Sequence, residues 1–352
     1  MKYGLLMTTS LNIGDEIQCL AAYRFLPRVD YLIHRERVDE FKSDGSEVAL
    51  LMNHWWMWDE KHFPPSDCIV PLYVSFNLQY KLRNEKFLTE AVADHFRKHE
   101  PIGCRDKGTA AFLNEHGIKA YFSGCLTTTL LPNPSLKNKF YSGYILCVDV
   151  PDKVAEEIRK RTNRDVICIE RHQKIGFSYE ERLRMAKYTL FLYHNAHCVV
   201  TVALHAALPS VAFGTPVCVI SRDDIEATSR FEGLEGCFNM VTEEQFISDP
   251  ESYDINTPPD NPDTYRDLAQ QLSETCEKFT GFDSKAPILE DDYNPITDIA
   301  KVLPYTKQAI SKSLHFAPVK ELINVCYRRK FRGEDMADHP ESCAGIDLLK
   351  RE

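Results

Sequence analysis

The stretch from His197 to Ile220, HCVVTVALHAALPSVAFGTPVCVI, constrains the fold more than any other. Cys198 to Val202 is a β-branched run suited to a buried strand, Leu204 to Leu208 opens a helix, and Pro209 limits its length. His205 is thereby placed where a strand ends and a helix begins. At such a junction in an open parallel sheet, unpaired helix N–H groups and the positive end of the helix dipole face the ligand crevice, ready for a phosphate or carboxylate. Val211 to Phe213, the turn Gly214-Thr215-Pro216 and Val217 to Ile220 then return the chain as another buried strand. The stretch reads as strand, helix and strand with an anion site at its mouth. The alternative is a core helix whose histidine is only hydrogen-bonded.

At 352 residues the chain is long for one core, so two domains are expected. Its net charge of −10, from 42 basic and 52 acidic residues, disfavours nucleic acid as a partner. An anionic small molecule then needs a local arginine cluster in a cleft. The segment MKYGLLMTTS reads as a first strand rather than a signal peptide, and no apolar run approaches the ~20 residues of a membrane span. The 12 cysteines form no CxxC pair, and Cys147, Cys168, Cys198 and Cys218 fall in candidate buried strands. Reduced core thiols of a cytoplasmic protein are expected, with no metal site.

Tyr3 to Thr9 reads as a strand and Glu16 to Phe25 as a helix, so Asn12, Gly14 and Asp15 stand at the ligand edge of the sheet, with Gln18 one turn on. Plain capping explains the same loop. Asp30 to His34 and Glu47 to Asn53 are further strands. The second runs into His54-Trp55-Trp56-Met57-Trp58, which holds all three tryptophans. Such a cluster is either a surface platform for apolar sugar faces or a filler between domains. Val70 to Phe76 is a strand, Glu85 to Lys98 a helix, and Pro101 to Asp106 a short strand ending in Arg105 and a helix cap, with Arg105 pointing either into the crevice or to a surface pair with Asp106. Lys119 to Ser123 is followed by Gly124 and then by Pro132-Asn133-Pro134, the best linker signal.

Beyond it, Ser142 to Val150, Asp152 to Lys160, Asp165 to Glu170 and Ser178 to Tyr193 alternate as strand and helix, with Arg171-His172 at a strand end and a capping box at Ser178 and Glu181. Arg266 to Phe279 is a later helix. The pattern predicts an α/β chain of two doubly wound Rossmann-like domains facing a cleft, at 1–140 and 141–290, with a helical tail at 291–352. In that tail, Tyr327 to Arg332 is basic and aromatic; a solvated helix end is favoured there over a weak membrane-surface contact.

Taken together, these residues resemble the polysaccharide pyruvyl transferase family. The matching segments are Asn12 to Gln18, Phe63-Pro64-Pro65 with Ser75-Phe76, Pro101 to Asp106, Ser123 to Thr127, and Leu204 to Pro209 with Ala212 to Pro216. The resemblance implies a GT-B-like fold and transfer of an enolpyruvyl group from phosphoenolpyruvate to a sugar as a cyclic ketal. It implies that Arg105 and His205 match residues holding the donor's phosphate and carboxylate, and that His172 matches a family histidine. Two departures stand out: the family usually carries Arg-Leu-His where this chain has Ala203-Leu204-His205, and often a histidine where Asn77 stands.

The chemistry needs guanidinium clamps on the donor, an acid for its methylene carbon and a base for two sugar hydroxyls. Arg105 and His205 are the catalytic candidates, and Leu204, Ala206, Arg171, His172, Ser123 and Gly124 the donor-binding ones. Asn12, Asp15, Gln18, His54, Trp55 and Trp56 are expected to face a glycan or lipid-linked sugar acceptor. Phosphoenolpyruvate is the co-substrate, with no further cofactor. A GT-B-type glycosyltransferase using a nucleotide sugar and a catalytically silent glycan-binding relative are the alternatives.

Overall fold

The computed structural model of the protein describes residues 1–56, 60–137, 143–172, 178–222, 228–295 and 298. Strands β1 (Lys2–Met7), β2 (Tyr31–His34), β3 (Val48–Met52) and, after the two-residue β4 (Trp55–Trp56), β5 (Ile69–Tyr73) are short apolar runs. They form a parallel sheet in the order β2-β1-β3-β5. All five residues of β3 are buried, as in a strand covered on both faces. A short β6 (Asn77–Leu78) pairs with β4. Strands β7 (Ile102–Cys104) and β8 (Ala120–Phe122) pair with each other and continue the sheet through a parallel bridge from Phe76 to Cys104. Helices α1 (Gly14–Tyr23), α2 (Glu90–Lys98) and α3 (Lys107–Glu115) connect these strands.

The second sheet is parallel throughout, with β9 (Ile145–Val148), β10 (Val166–Ile169), β11 (Cys198–Thr201), β12 (Val217–Ser221) and β13 (Asn239–Thr242) in the order β10-β9-β11-β12-β13. Its helices are α4 (Asp152–Arg161), α5 (Tyr179–Asn195), α6 (Leu204–Ala212), α7 (Glu243–Ser248) and α8 (Thr264–Thr280). The expected class, an α/β chain of two doubly wound Rossmann-like units, is the one observed. In each sheet the strand order reverses beside the first strand. The two switch points therefore lie beyond the carboxyl ends of β1 and β3, and of β9 and β11.

Local signals hold with adjustments. The capping box opens α5: Glu181 N–H donates to Ser178 Oγ at 3.3 Å, and Ser178 N–H to Glu181 Oε2 at 2.7 Å. Helix α2 begins at Glu90 rather than Glu85, because Thr89 is its cap, accepting from Val92 N–H at 3.4 Å. Helix α6 runs through Pro209 to Ala212, so Val211 and Ala212 are helical rather than strand. Proline removes one amide, while Phe213 N–H still reaches Pro209 O at 3.1 Å and Ser210 Oγ donates to Ala206 O at 2.7 Å.

One apolar core joins the two sheets. Ile17, Leu20, Ala21 and Phe25 of α1 share a cluster with Leu190 and Phe191 of α5 and Leu208 and Val211 of α6. The expected linker is pinned: Asn133 Nδ2 donates to Leu289 O at 3.0 Å and to Asp291 Oδ1 at 2.8 Å. After α8 the chain returns to the first half, where Arg24 Nε donates to Asp283 Oδ1 at 2.8 Å and Tyr3 Oη to Thr280 O at 3.2 Å. Most of the tail expected at 291–352, including Tyr327 to Arg332, lies outside the described residues.

Candidate functional site

The loop after β1 and the first turn of α1 meet the loops after β9, β10 and β11, which brings the two switch points together. Asn12 bridges to His172, Ile13 N–H donates to Arg171 O at 3.0 Å, and Arg171 Nη1 donates to Asn12 Oδ1 at 3.3 Å. Arg171 is itself held by Asp149, whose Oδ2 accepts from its Nε at 2.6 Å. Asp149 follows β9 with a φ of 54°. Gly14 packs against His205: a Cβ at Gly14 would lie 3.1 Å from His205 Cβ and 3.2 Å from its Nδ1. The absent side chain lets the helix start approach the histidine this closely.

Arg105 is buried, and its Nε has no hydrogen-bond partner among the described residues. The surface pair with Asp106 does not form. Asp106 instead caps α3, accepting from Thr109 N–H at 2.8 Å, and pairs with Arg83 at 2.7 Å. Burial lowers the proton affinity of Arg105, with Cys125 and Asp106 opposing. His205 is also buried, and its Nε2 has no partner among the described residues. Burial, then the charge of Arg105, hold it well below the usual histidine range, against the pull of Asp15; Arg171 and His54 lower it further. A buried guanidinium and a neutral imidazole with an idle ring nitrogen form a site short of negative charge.

Asp15 is the site's anion. Burial raises its pKa, but Arg35, His54, the Ser10 hydroxyl and His205 together hold it below the usual carboxylate range. Arg35 Nη1 lies 3.5 Å from Asp15 Oδ2. Burial, then Arg35, push His54 down to about 3, so it is neutral at physiological pH. Behind Asp15, Glu16 pairs with Arg182 of α5, and burial raises its carboxyl to about 8 against the pull of that arginine. Other buried polar atoms without a partner among the described residues include Gln18 Nε2 and Oε1, Asn53 Oδ1, His54 Nδ1 and Ser75 Oγ. Asn53, His54 and Ser75 stand at carboxyl ends of the first sheet.

The remaining candidates divide. Leu204 and Ala206 lie in the first turn of α6, but the amide of Ala206 is already taken by Ala203 O at 3.0 Å, so the free end of that turn belongs to Leu204 and His205. Ser123 is structural: its Oγ accepts from Ser75 N–H at 3.1 Å and donates to Cys104 O at 3.0 Å. Gly124 has a φ of 77°, a conformation that favours glycine, and faces Leu268. His172 is exposed and joins the site through its backbone bridge.

The tryptophan platform is corrected at Trp56. Its side chain is 0% exposed and packs at 6.0 Å ring separation on both Phe63 and Phe76. The period of 2 in β4 turns it into the core, where an aromatic cluster receives it. Trp58 lies outside the described residues, as does the side chain of Trp55. Gln18 and His54 are fully buried too, so neither presents a surface to an acceptor. Sequence reasoning missed Asp149, Arg35, Glu16 and Arg182. Only Asp149 carried a signal, an acidic residue between a buried strand and Pro151.

These features define a two-unit α/β protein whose sheet switch points meet around a cluster of buried charged and polar side chains, Arg105, His205, Asp15 and Arg171. Residues 74–224 match the family model described as polysaccharide pyruvyl transferase, and the resemblance drawn from the motifs is borne out over that span. The match takes in Arg105 and His205, while Asn12 to Gln18 precede it. No curated protein matches the chain. Among solved structures, an uncharacterised protein from Klebsiella pneumoniae subsp. pneumoniae NTUH-K2044 is 12% identical, with 68% of this chain and 93% of that one covered and a TM-score of 0.44. The UDP-N-acetylglucosamine 2-epimerase from Rickettsia bellii is 12% identical over 89% of this chain and 100% of that one, at a TM-score of 0.42. The UDP-GlcNAc 2-epimerase of Methanocaldococcus jannaschii, in complex with UDP-GlcNAc and UDP, is 13% identical over 87% of this chain and 100% of that one, at a TM-score of 0.36.

Proposed function

We propose that the protein is a ketal-forming pyruvyl transferase, moving the enolpyruvyl group of phosphoenolpyruvate onto two hydroxyls of a sugar in a polysaccharide or lipid-linked glycan precursor. The observation that carries this reading is the buried Arg105, whose Nε has no partner among the described residues, with its charge acting on the neutral His205. Arg105 clamps the donor, and the amides of Leu204 and His205 at the start of α6 cradle its phosphate. Arg171 takes the place of the family arginine missing at Ala203, because its charge acts on His205 and Asp149 fixes its direction. Asn12 and Asp15 face the acceptor.

In this reaction a proton is added to the donor's methylene carbon, positive charge develops at the neighbouring carbon, and two hydroxyls add there in turn as phosphate leaves. His205 is neutral in the ligand-free chain and is no acid in that state. A donor with two or three negative charges placed against it raises its proton affinity, so the donor itself arms the acid. Hydroxyl protons released on attack restore it. This reading puts the reaction in the cytoplasm and calls for no cofactor beyond the donor.

The test is mass spectrometry of galactose- or mannose-terminated acceptors after incubation with phosphoenolpyruvate, together with calorimetry of donor binding in buffers of differing ionisation enthalpy. A pyruvyl mass gain and proton uptake on donor binding are expected. Binding of a nucleotide sugar in place of phosphoenolpyruvate points instead to a glycosyltransferase, and binding of simple glycosides alone to a silent relative.

A further inference from the structure

We propose that Cys168 and Cys147 form a peroxide-reactive thiol pair that closes reversibly to a disulfide, with Cys168 as the attacking sulfur and Cys147 as the resolving one. The two residues are direct partners on adjacent parallel strands, Cys168 on β10 and Cys147 on β9. Neighbouring strands lie about 4.7–4.9 Å apart, inside the Cα separation of about 4.4–6.8 Å that a disulfide spans. Both side chains meet the same apolar cluster beneath α4, so they leave the sheet on one face. Cys198 is offset from Cys147, being paired with Ile145, and Cys218 is paired with Val200 of the intervening β11, so neither competes as partner.

The two sulfurs have different surroundings. Cys147 is fully buried, whereas Cys168 is half-buried on the edge strand of its sheet. Arg159 Nη2 donates to Cys168 Sγ at 3.1 Å, and the Cys147 thiol hydrogen-bonds to the same sulfur. A sulfur beside a guanidinium, accepting a second hydrogen bond and reachable from solvent, is the one that reacts as thiolate.

The chemistry balances with a hydroperoxide as oxidant. The Cys168 thiolate attacks one oxygen of hydrogen peroxide, the O–O bond breaks, and hydroxide leaves and takes up the proton released by the thiol, giving a sulfenic acid and water. The Cys147 sulfur then attacks the Cys168 sulfur, the S–O bond breaks, and hydroxide departs as water with the Cys147 proton. Two electrons pass from the sulfur pair to the peroxide, and a dithiol restores the starting state. The cross-link ties the two strands whose following residues, Asp149 and Arg171, are joined at 2.6 Å, so oxidation stiffens the second-sheet side of the anion site.

The experiment is timed exposure of the full chain to hydrogen peroxide, followed by denaturation, alkylation and peptide mapping. Expected is a Cys147 to Cys168 cross-linked peptide, lighter by two hydrogen atoms, formed ahead of oxidation at other cysteines and reversed by dithiothreitol. Cys147→Ser should stop the reaction at a dimedone-reactive Cys168, and Arg159→Gln should slow it about tenfold, the loss expected for one charge-assisted hydrogen bond. Oxidation of Cys168 no faster than that of the buried thiols overturns the proposal, and so does a Cys168 oxidised without linkage to Cys147.

Discussion

Arg182 Nη2 lies 2.6 Å from Glu16 Oε1, joining a helix of the first sheet to a helix of the second with both side chains out of solvent. Removing one member strands the other, at a typical cost of about 3–5 kcal/mol, whereas removing both leaves an apolar contact. Urea unfolding of Arg182→Met should therefore show a loss near ~3 kcal/mol. Combining it with Glu16→Met should recover most of that loss. Equal losses in the single and double variants would mean that the pair is not coupled.

Arg105 is costly to the empty protein, and the proposed reaction gives it a use in the occupied one. Replacing it by methionine removes a buried guanidinium whose Nε has no partner among the described residues. Thermal stability of Arg105→Met should hold or rise, while phosphoenolpyruvate affinity falls at least ~10-fold, the equivalent of about 1.5–3 kcal/mol for a charge-assisted contact. Unchanged donor affinity would remove Arg105 from the site.

His54 gives the chain an acid-sensitive joint. Its folded pKa is depressed to about 3 from 6.5, chiefly by burial and Arg35, so its stabilising contribution is complete above pH 6.5 and is lost as pH falls towards 3. Each unit of difference is worth about 1.4 kcal/mol at most. Equilibrium unfolding of His54→Gln between pH 7 and pH 4 should show a shallower decline than the parent protein. Parallel declines would place the acid sensitivity elsewhere.

Trp56 belongs to the core, and its variants should behave accordingly. Trp56→Ala is expected to cost about 3–5 kcal/mol in unfolding free energy. Below its melting transition, the acceptor KM of that variant should stay near the parent value. A variant of parental stability with a raised acceptor KM would restore the platform reading.

Legibility followed the range of the forces involved. Strands such as Val48–Met52 and the capping box at Ser178 are local patterns, and they appear in the fold where the sequence puts them. Arg105 and His205 were legible because a strand end dictates where such residues point. Glu16 and Arg182 were not, since each has its partner far away in sequence: 166 residues separate the two. Trp56 shows the opposite failure. Composition marked the cluster, but only the direction of β4 against Phe63 and Phe76 decided which way the ring would turn.

The apolar cluster running through both sheets bears on how the chain can be divided. Helix α1 belongs by connection to the first sheet and by packing to α5 and α6 of the second. A break at Pro132 would leave each fragment with an unfinished interior, since the return of residues 280–283 to Tyr3 and Arg24 would be severed as well. Neither piece is then an autonomous module to be exchanged between proteins. Produced together, the two would find their missing surfaces in each other, and the meeting point of the two sheets would exist only in the reassembled pair.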